Sequence, residues 1–364
     1  DSSMKQPVKI GIVGIGVISG IYLKNITARF KNLEIRAVCD LIRSKAEKAA
    51  LEYHIPIIYD TMEELFADPQ IDIVLNLTRP YEHYAVTYGA LMAGKHVYSE
   101  KPLGASLQEG KELTALAREK GLMIAGAPDT FLGAGIQTCK KLIESGFIGT
   151  PIGASAFMVC RGHESWHEDP EFYYKYGGGP MFDMGPYYLT ALVNLIGAVK
   201  HVSGMAKITF PKRTITSQPL NGTVIQVDVP TYITGMMQFE NGAIGTIFTT
   251  FDVYTAEVPR IEIYGSAGTL SVPDPNTFGG PVRLYRPESG EFKEIPLLFD
   301  YADNSRGLGL SEMADALISG RLPKTHMSQT FHVLEIMDGI TRSAEEHHEI
   351  EISSCEDYRN FSSL

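Results

Sequence analysis

Val8-Lys9-Ile10-Gly11-Ile12-Val13-Gly14-Ile15-Gly16-Val17-Ile18-Ser19-Gly20 decides the fold. The apolar run at 8–13 reads as a strand and residues 21–30 as a helix, with a glycine turn between them. Gly14 permits the tight turn and Gly16 lets backbone approach a pyrophosphate. Ser19 stands where a third glycine is usual and is small enough for the helix to pack on the strand. Free N–H groups at the helix start, with a favourable dipole, suit an anion. Val17 and Ile18 belong to the same loop and are taken as cofactor contacts with Gly14 and Gly16. A merely structural turn is the competing reading. Asp40 weighs against it, because it ends the next strand candidate, 33–39, where an acid binds the adenosine ribose 2′-hydroxyl. An anion at 40 repels the 2′-phosphate of NADP and favours NAD. Arg43 keeps NADP open, since a guanidinium pairs well with phosphate.

Outward from this stretch, strand candidates at 57–59, 71–77, 96–99 and 123–127 alternate with helix candidates at 44–53, 81–93 and 107–120. Thr61 with Glu64 has capping-box spacing. This rhythm predicts a doubly wound parallel sheet. It changes after Pro128. A helix at 131–144 leads to a glycine- and aromatic-rich stretch at 161–186 and a helix at 184–196. Two-residue alternation then runs through 202–298, with strands at 231–239, 243–251, 260–264, 269–272 and 282–285. Asn241-Gly242 signals a hairpin, and serial strands of this kind predict an antiparallel sheet. Helices at 308–319 and 329–346 close the chain. The expected organisation is α/β: a dinucleotide-binding domain over 4–127 and a substrate-binding and assembly domain over 128–364.

With 364 residues, two domains are expected. A net charge of −11 argues against nucleic acid or an anionic membrane as partner. The four cysteines lack CxxC spacing, which points away from a zinc–cysteine site and towards a reducing compartment, hence the cytoplasm. No apolar run is long enough to span a bilayer.

Glu100-Lys101-Pro102 follows the strand candidate at 96–99. Proline restricts the lysine before it to extended backbone, and the carboxyl ends of such strands are where ligands bind. An exposed lysine ahead of a turn is the alternative. Gly14-x-Gly16, Thr78-Arg79-Pro80-x-x-His83, Gly94-Lys95-His96-Val97, Glu100-Lys101-Pro102, Gly177-Gly178-Gly179…Asp183-x-Gly185 and the Arg306-Gly307 helix start recur in this order. Together they resemble the glucose–fructose oxidoreductase / inositol dehydrogenase (Gfo/Idh/MocA) family along essentially the whole chain.

The resemblance implies a Rossmann domain followed by an α/β domain with a large, mostly antiparallel sheet. It also implies NAD(P)-dependent oxidation or reduction of sugars, polyols or their derivatives, and a homodimer or homotetramer built through the second sheet. Lys101 is similar to the family's active-site lysine beside the nicotinamide, and Glu100 to the residue facing cofactor ribose. Thr78 and His83 flank a loop that contacts the cofactor in the family. Where many members carry Asp-x-Gly-x-His, this chain has Asp183-Met184-Gly185-Pro186-Tyr187. Tyr187 then becomes the general acid/base, with Lys101 lowering its pKa and Asp183 orienting substrate or phenol. A packed aromatic is the other reading of Tyr187.

His163-Glu164-Ser165-Trp166-His167 matches H-E-x-x-H, but a zinc site needs a helix there. Arg-Gly before it and Glu-Asp-Pro after it argue for a loop, and no metal is expected. In that loop Trp166 can stack on a sugar face and His167 can bond a hydroxyl. Two rival functions stay open. One is an NAD-dependent glycosidase that oxidises its substrate transiently. The other is a sensor without catalysis, against which Lys101 and Tyr187 argue.

Overall fold

A computed structural model describes residues 6–364, so the expected domain start at residue 4 lies outside the described residues. The chain divides into two compact units. The first runs up to Asp129 and takes in Asn304–Phe331, and the second comprises Thr130–Asp303 and His332–Leu364.

In the first unit, β1 (Val8–Val13), α1 (Ser19–Ala28), β2 (Leu33–Cys39), α2 (Arg43–Tyr53), β3 (Ile57–Ile58), α3 (Met62–Phe66), β4 (Ile73–Asn76), α4 (His83–Met92), β5 (His96–Ser99), α5 (Leu107–Lys120) and β6 (Ile124–Gly126) follow one another. The six strands are all parallel, in the order β3-β2-β1-β4-β5-β6. Strand order therefore reverses beside β1, and the loops after β1 and β4 sit at that switch point. Thr61 caps α3, accepting the Glu64 N–H at 3.2 Å. Gly121, at φ +64°, ends α5 in the left-handed conformation that glycine adopts at least cost.

The second unit contains α6 (Ala134–Glu144), β7 (Pro151–Val159), α7 (Pro180–Leu195), β8 (Val199–Lys207), the two-stranded pair β9 (Lys212–Thr214) and β10 (Val224–Gln226), β11 (Tyr232–Phe239), β12 (Ile244–Thr250), β13 (Ile261–Gly265), β14 (Thr269–Val272), β15 (Val282–Tyr285) and β16 (Phe292–Ile295). Helix α8 (Leu308–Ser319) belongs to the first unit. The division falls within α9 (Met327–Glu346), and β17 (Ile350–Glu351) and α10 (Cys355–Ser362) close the second unit. Nine strands form one sheet, β16-β15-β14-β13-β7-β12-β11-β8-β17. It is antiparallel except for β7 against β12. The hairpin expected at Asn241-Gly242 joins β11 to β12.

The contacts correct the expected partition, in which everything from 128 onward belonged to the second domain. Leu310, Met313 and Ala314 of α8 are fully buried in the same core as Tyr22, Leu23, Ile26, Ile12 and Tyr98. An apolar helix face goes where it removes most surface from water, whatever its place in the chain. The same segment supplies a backbone acceptor to the sheet edge, where the Gly126 N–H donates to Thr325 O at 3.0 Å.

Candidate active site

The glycine loop is shaped by two contacts. Gly14 has φ +98°, and a Cβ there would stand 2.9 Å from the Leu77 carbonyl carbon, so only glycine fits. At Gly16 a Cβ would meet nothing within 4 Å, so the loop is open where a ligand's phosphates would lie. Ser19 is buried, and its hydroxyl returns to Gly16 O at 2.6 Å, closing the turn into α1. Asp40 holds the loop from below. Its Oδ2 accepts the Ile15 N–H and its Oδ1 the Ile42 N–H, each at 2.7 Å. Both oxygens keep a lone pair for further donors. Val17, Leu41 and Ile42 leave apolar side chains exposed around the loop, at 85%, 95% and 53%. This donor set and apolar surround fit a dinucleotide. Arg43 is drawn elsewhere, its Nε bonding Glu47 at 2.9 Å and its Nη1 bonding Asp60.

Lys101 is half-buried just beyond β5, and both its neighbours are anchored. The Glu100 N–H bonds Asn76 O on β4 at 2.9 Å. The Glu100 carboxylate, 8% exposed, accepts the phenol of fully buried Tyr22 at 2.5 Å. Burial, and then the Glu100 charge, raises the Tyr22 pKa, which keeps that phenol a donor. On the other side, Pro102 O meets His83 Nδ1 at 2.7 Å, while His83 Nε2 meets Thr78 O at 2.8 Å. His83 is 1% exposed, and burial lowers its pKa against the pull of the two carbonyls. Carbonyl oxygens only accept, so the neutral ring donates to one of the two at a time while packing between the loop after β4 and the loop after β5. Thr78 is fixed as well, its hydroxyl bonding Asn76 Oδ1 at 2.6 Å.

Asp129 lies behind this region with no local motif to announce it. It is 1% exposed, and its Oδ2 accepts the N–H groups of Gly307 and Gly309 at 3.0 and 2.9 Å, capping α8. Burial pushes its carboxyl up to about 6, opposed by the Gly309 bond. From the ordinary 3.8 to about 6 the folded chain holds more protons than the unfolded chain, so stability falls as pH rises. Asp129→Asn keeps an oxygen for both N–H groups and removes this slope. In urea unfolding, the variant is expected to gain on the parent by up to about 3 kcal/mol as pH rises from about 4 to about 7. Parallel curves over that range would contradict it.

In the second unit, Gly179 (φ +88°) precedes α7 and Pro180 occupies its first turn. Asp183 thus sits in the first turn, with Tyr187 one turn on along the same face. Tyr187 is 8% exposed, whereas Tyr188 is fully buried. His163–His167 forms a turn and not a helix, with the N–H groups of Trp166 and His167 both bonding His163 O. Trp166 is 64% exposed. His167 packs edge-on against Phe172 and Tyr173, with ring centroids 5.6 and 5.3 Å away.

Arg213 on β9, absent from the expected site, holds this loop. Its buried guanidinium bonds Arg161 O at 2.8 Å, Glu164 Oε1 at 2.7 Å, Phe251 O at 2.9 Å and the Asp252 carboxylate. Glu164 also accepts the phenol of Tyr174. His163 approaches Asp183, Nε2 to Oδ2 3.8 Å, a pairing that the H-E-x-x-H pattern does not suggest.

Residues 8–126 match the family model described as an oxidoreductase family with an NAD-binding Rossmann fold, and residues 136–271 match the GFO/IDH/MocA C-terminal domain. The chain belongs to the GFO/IDH/MocA family. It is 31% identical over 147 residues to the inositol 2-dehydrogenase/D-chiro-inositol 3-dehydrogenase of Lactiplantibacillus plantarum, covering 40% of this chain and 42% of that one. It is 24% identical over 351 residues to the D-glucoside 3-dehydrogenase of Escherichia coli, covering 93% and 96%. The alignments span about half the length of the first curated relatives, or less. Levoglucosan dehydrogenase, solved in complex with NADH and levoglucosan, superposes with a TM-score of 0.81 at 19% identity over 96% of this chain and 100% of that one. At that identity the likeness is one of fold.

Proposed function

We propose that the chain is an NAD-dependent dehydrogenase or reductase acting on a CH–OH group of a sugar, polyol or related carbohydrate-like alcohol or ketone. The glycine loop open at Gly16 and held by Asp40 carries this reading. Gly14, Gly16, Val17 and Ile18 would hold the pyrophosphate, and Asp40 the adenosine ribose. Thr78, Glu100 and Lys101 would line the loops at the nicotinamide end, with His83 bracing them. Arg43 is already neutralised by Glu47 and Asp60, which leaves a 2′-phosphate facing Asp40 without a free counter-charge and supports NAD over NADP.

Bound NAD supplies a hydride acceptor at nicotinamide C4. The protein's own part is acid–base and positional. Tyr187 takes the hydroxyl proton on oxidation and returns it on reduction. Lys101 contributes positive charge to the oxyanion that develops on the reacting oxygen. Asp183 accepts a substrate hydroxyl. Trp166 offers a flat apolar face to a sugar ring and His167 a polar edge. Inositols and glucosides are named for the relatives above, and hydroxyl-rich rings suit this arrangement.

Among the described residues no helix is long and apolar enough to cross a membrane. The free cysteines 39, 139, 160 and 355 support a cytoplasmic location. The nine-stranded sheet leaves Met205, Met236 and Ile244 exposed at 77%, 58% and 61%, on the face that also carries Tyr232 and Phe248. A second copy would cover that face, giving a homodimer or homotetramer.

The test is to mix the protein with NAD or NADP and a panel of inositols, glucosides and hexoses. NADH absorbance and free-sugar release are followed together, with the assembly's mass read by light scattering on the same sample. The expected outcome is NADH formation with at least one polyol, little with NADP, no sugar release, and a mass of two or four chains. Tight NAD binding without any absorbance change would leave the sensor reading, and sugar release without net NADH the glycosidase.

A further inference from the structure

His163 remains from the H-E-x-x-H stretch without a role, and its setting is built rather than incidental. The ring is 8% exposed in an aromatic cage: stacked on Tyr173 at 3.7 Å between centroids and 13° between planes, edge-on to Phe251 at 4.7 Å, and tilted to Trp166 at 5.2 Å. Its backbone is pinned from both sides. The His163 N–H donates to Tyr174 Oη at 3.2 Å, and its carbonyl receives Trp166 and His167. The loop as a whole is tied down by Arg213. All this rigidity aims Nε2 at Asp183 Oδ2, 3.8 Å away, on two side chains only 10% and 17% exposed.

We infer that His163 is a positioning residue for substrate binding: its caged ring fixes the direction of the Asp183 carboxylate, and the gain or loss of its proton sets how tightly that carboxylate is held. This rests on the proposed dehydrogenase reading, in which Asp183 meets a substrate hydroxyl. An imidazolium at His163 pairs with Asp183 and competes with the substrate for it. A neutral ring loses that ionic pull and holds the carboxylate less tightly. The binding term then follows an imidazole ionisation, within about pH 5 to 8, and kcat/KM rises with pH.

Tyr173 stacks on the His163 ring, Tyr174 bonds its backbone and Cys160 at the end of β7 feels the Asp183 charge, while Glu164, His167, Arg213 on β9 and Asp252 after β12 are the other titratable or charged groups of the loop and the elements that hold it. Glu164 and Asp252 are both committed to Arg213. Burial raises the thiol pKa of Cys160 and the phenol pKa of Tyr174. Asp183 is thus the carboxylate left to answer His163.

Two substitutions separate positioning from packing. His163→Phe keeps the stack on Tyr173 and removes the polar contact, and His163→Gln keeps a polar partner without a titrating ring. For a polyol identified with the parent enzyme, His163→Phe should raise KM about tenfold while kcat changes less than about threefold. Both variants should lose the imidazole-range limb of the kcat/KM profile. His163→Gln should retain most of the parent's KM at high pH. NADH fluorescence titration and thermal melts confirm that the variants fold.

The readout independent of turnover is the titration of the His163 ring by NMR of histidine-labelled protein. Asp183→Asn should move its midpoint to lower pH, because the anion that favours imidazolium is gone. A His163→Phe enzyme with the parent's KM and pH limb would reduce His163 to packing. A His163 midpoint unmoved by Asp183→Asn would remove the pair itself. If the parent enzyme turns over no polyol, it is the dehydrogenase reading that fails, and the NMR titration still decides whether His163 and Asp183 are coupled.

Discussion

Lys101→Met is expected to lower kcat/KM about a thousandfold while NADH affinity stays within about threefold of the parent. Methionine keeps the length and the apolar stem, so the loss isolates the ammonium. The effect is large because the backbone around Lys101 is fixed before substrate arrives. Glu100 is held by Asn76 O and Tyr22, and Pro102 by His83. A charge held in place costs no reorganisation when the reacting oxygen becomes negative, and in a partly water-excluded site it is worth more than in bulk water. Steady-state kinetics with NADH fluorescence titration checks this. Unchanged turnover would take Lys101 out of the chemistry, and lost NADH binding would make it a cofactor ligand instead.

The second large effect is expected at Tyr187. Tyr187→Phe removes one oxygen from a residue that is 8% exposed, so packing is nearly preserved. Turnover should fall about a hundredfold or more, with cofactor binding and melting temperature unchanged. Tyr188→Phe serves as the contrast. That neighbour is fully buried, its phenol 3.4 Å from Arg260 Nη1, and its loss should appear in stability before turnover. Equal kinetic effects from the two changes would return Tyr187 to the role of a packed aromatic.

What was legible in the chain follows the range of the interactions involved. The Rossmann unit could be read from local patterns: glycines where φ is positive, apolar strands, and Thr61 capping its helix through the Glu64 N–H. Strand β7 carries no strand signal in the sequence, because Gly153-Ala154-Ser155-Ala156 shows no alternation. It lies between β12 and β13 in the sheet, and small residues suit close packing there. The sequence places the start of α7 near 184, because Gly177-Gly178-Gly179 reads as loop. Pro180, at the first helical position, starts it earlier and places Asp183 in the first turn.

The site divides in the same way. Lys101, Asp40 and the glycine loop lie at strand ends, which periodicity marks. Tyr22 reaches Glu100 across 78 residues, and Asp129 reaches Gly307 across 178. Arg213 and His163 likewise find their carboxylates only after folding. No local spacing encodes such pairs, because each depends on which elements the core brings together. Arg43 shows the converse case. Its position suggests a phosphate ligand, and only the folded chain shows the acidic neighbours at 47 and 60 that pair with it.

The most direct test of hydride transfer is isotopic. The protein is incubated with NAD and inositols or glucosides deuterated at every ring carbon, and the nicotinamide product is analysed by mass spectrometry. A gain of a single deuterium in the reduced cofactor is the predicted result. Reduced cofactor without deuterium, or bound cofactor that stays oxidised across the whole panel, would contradict the proposed function.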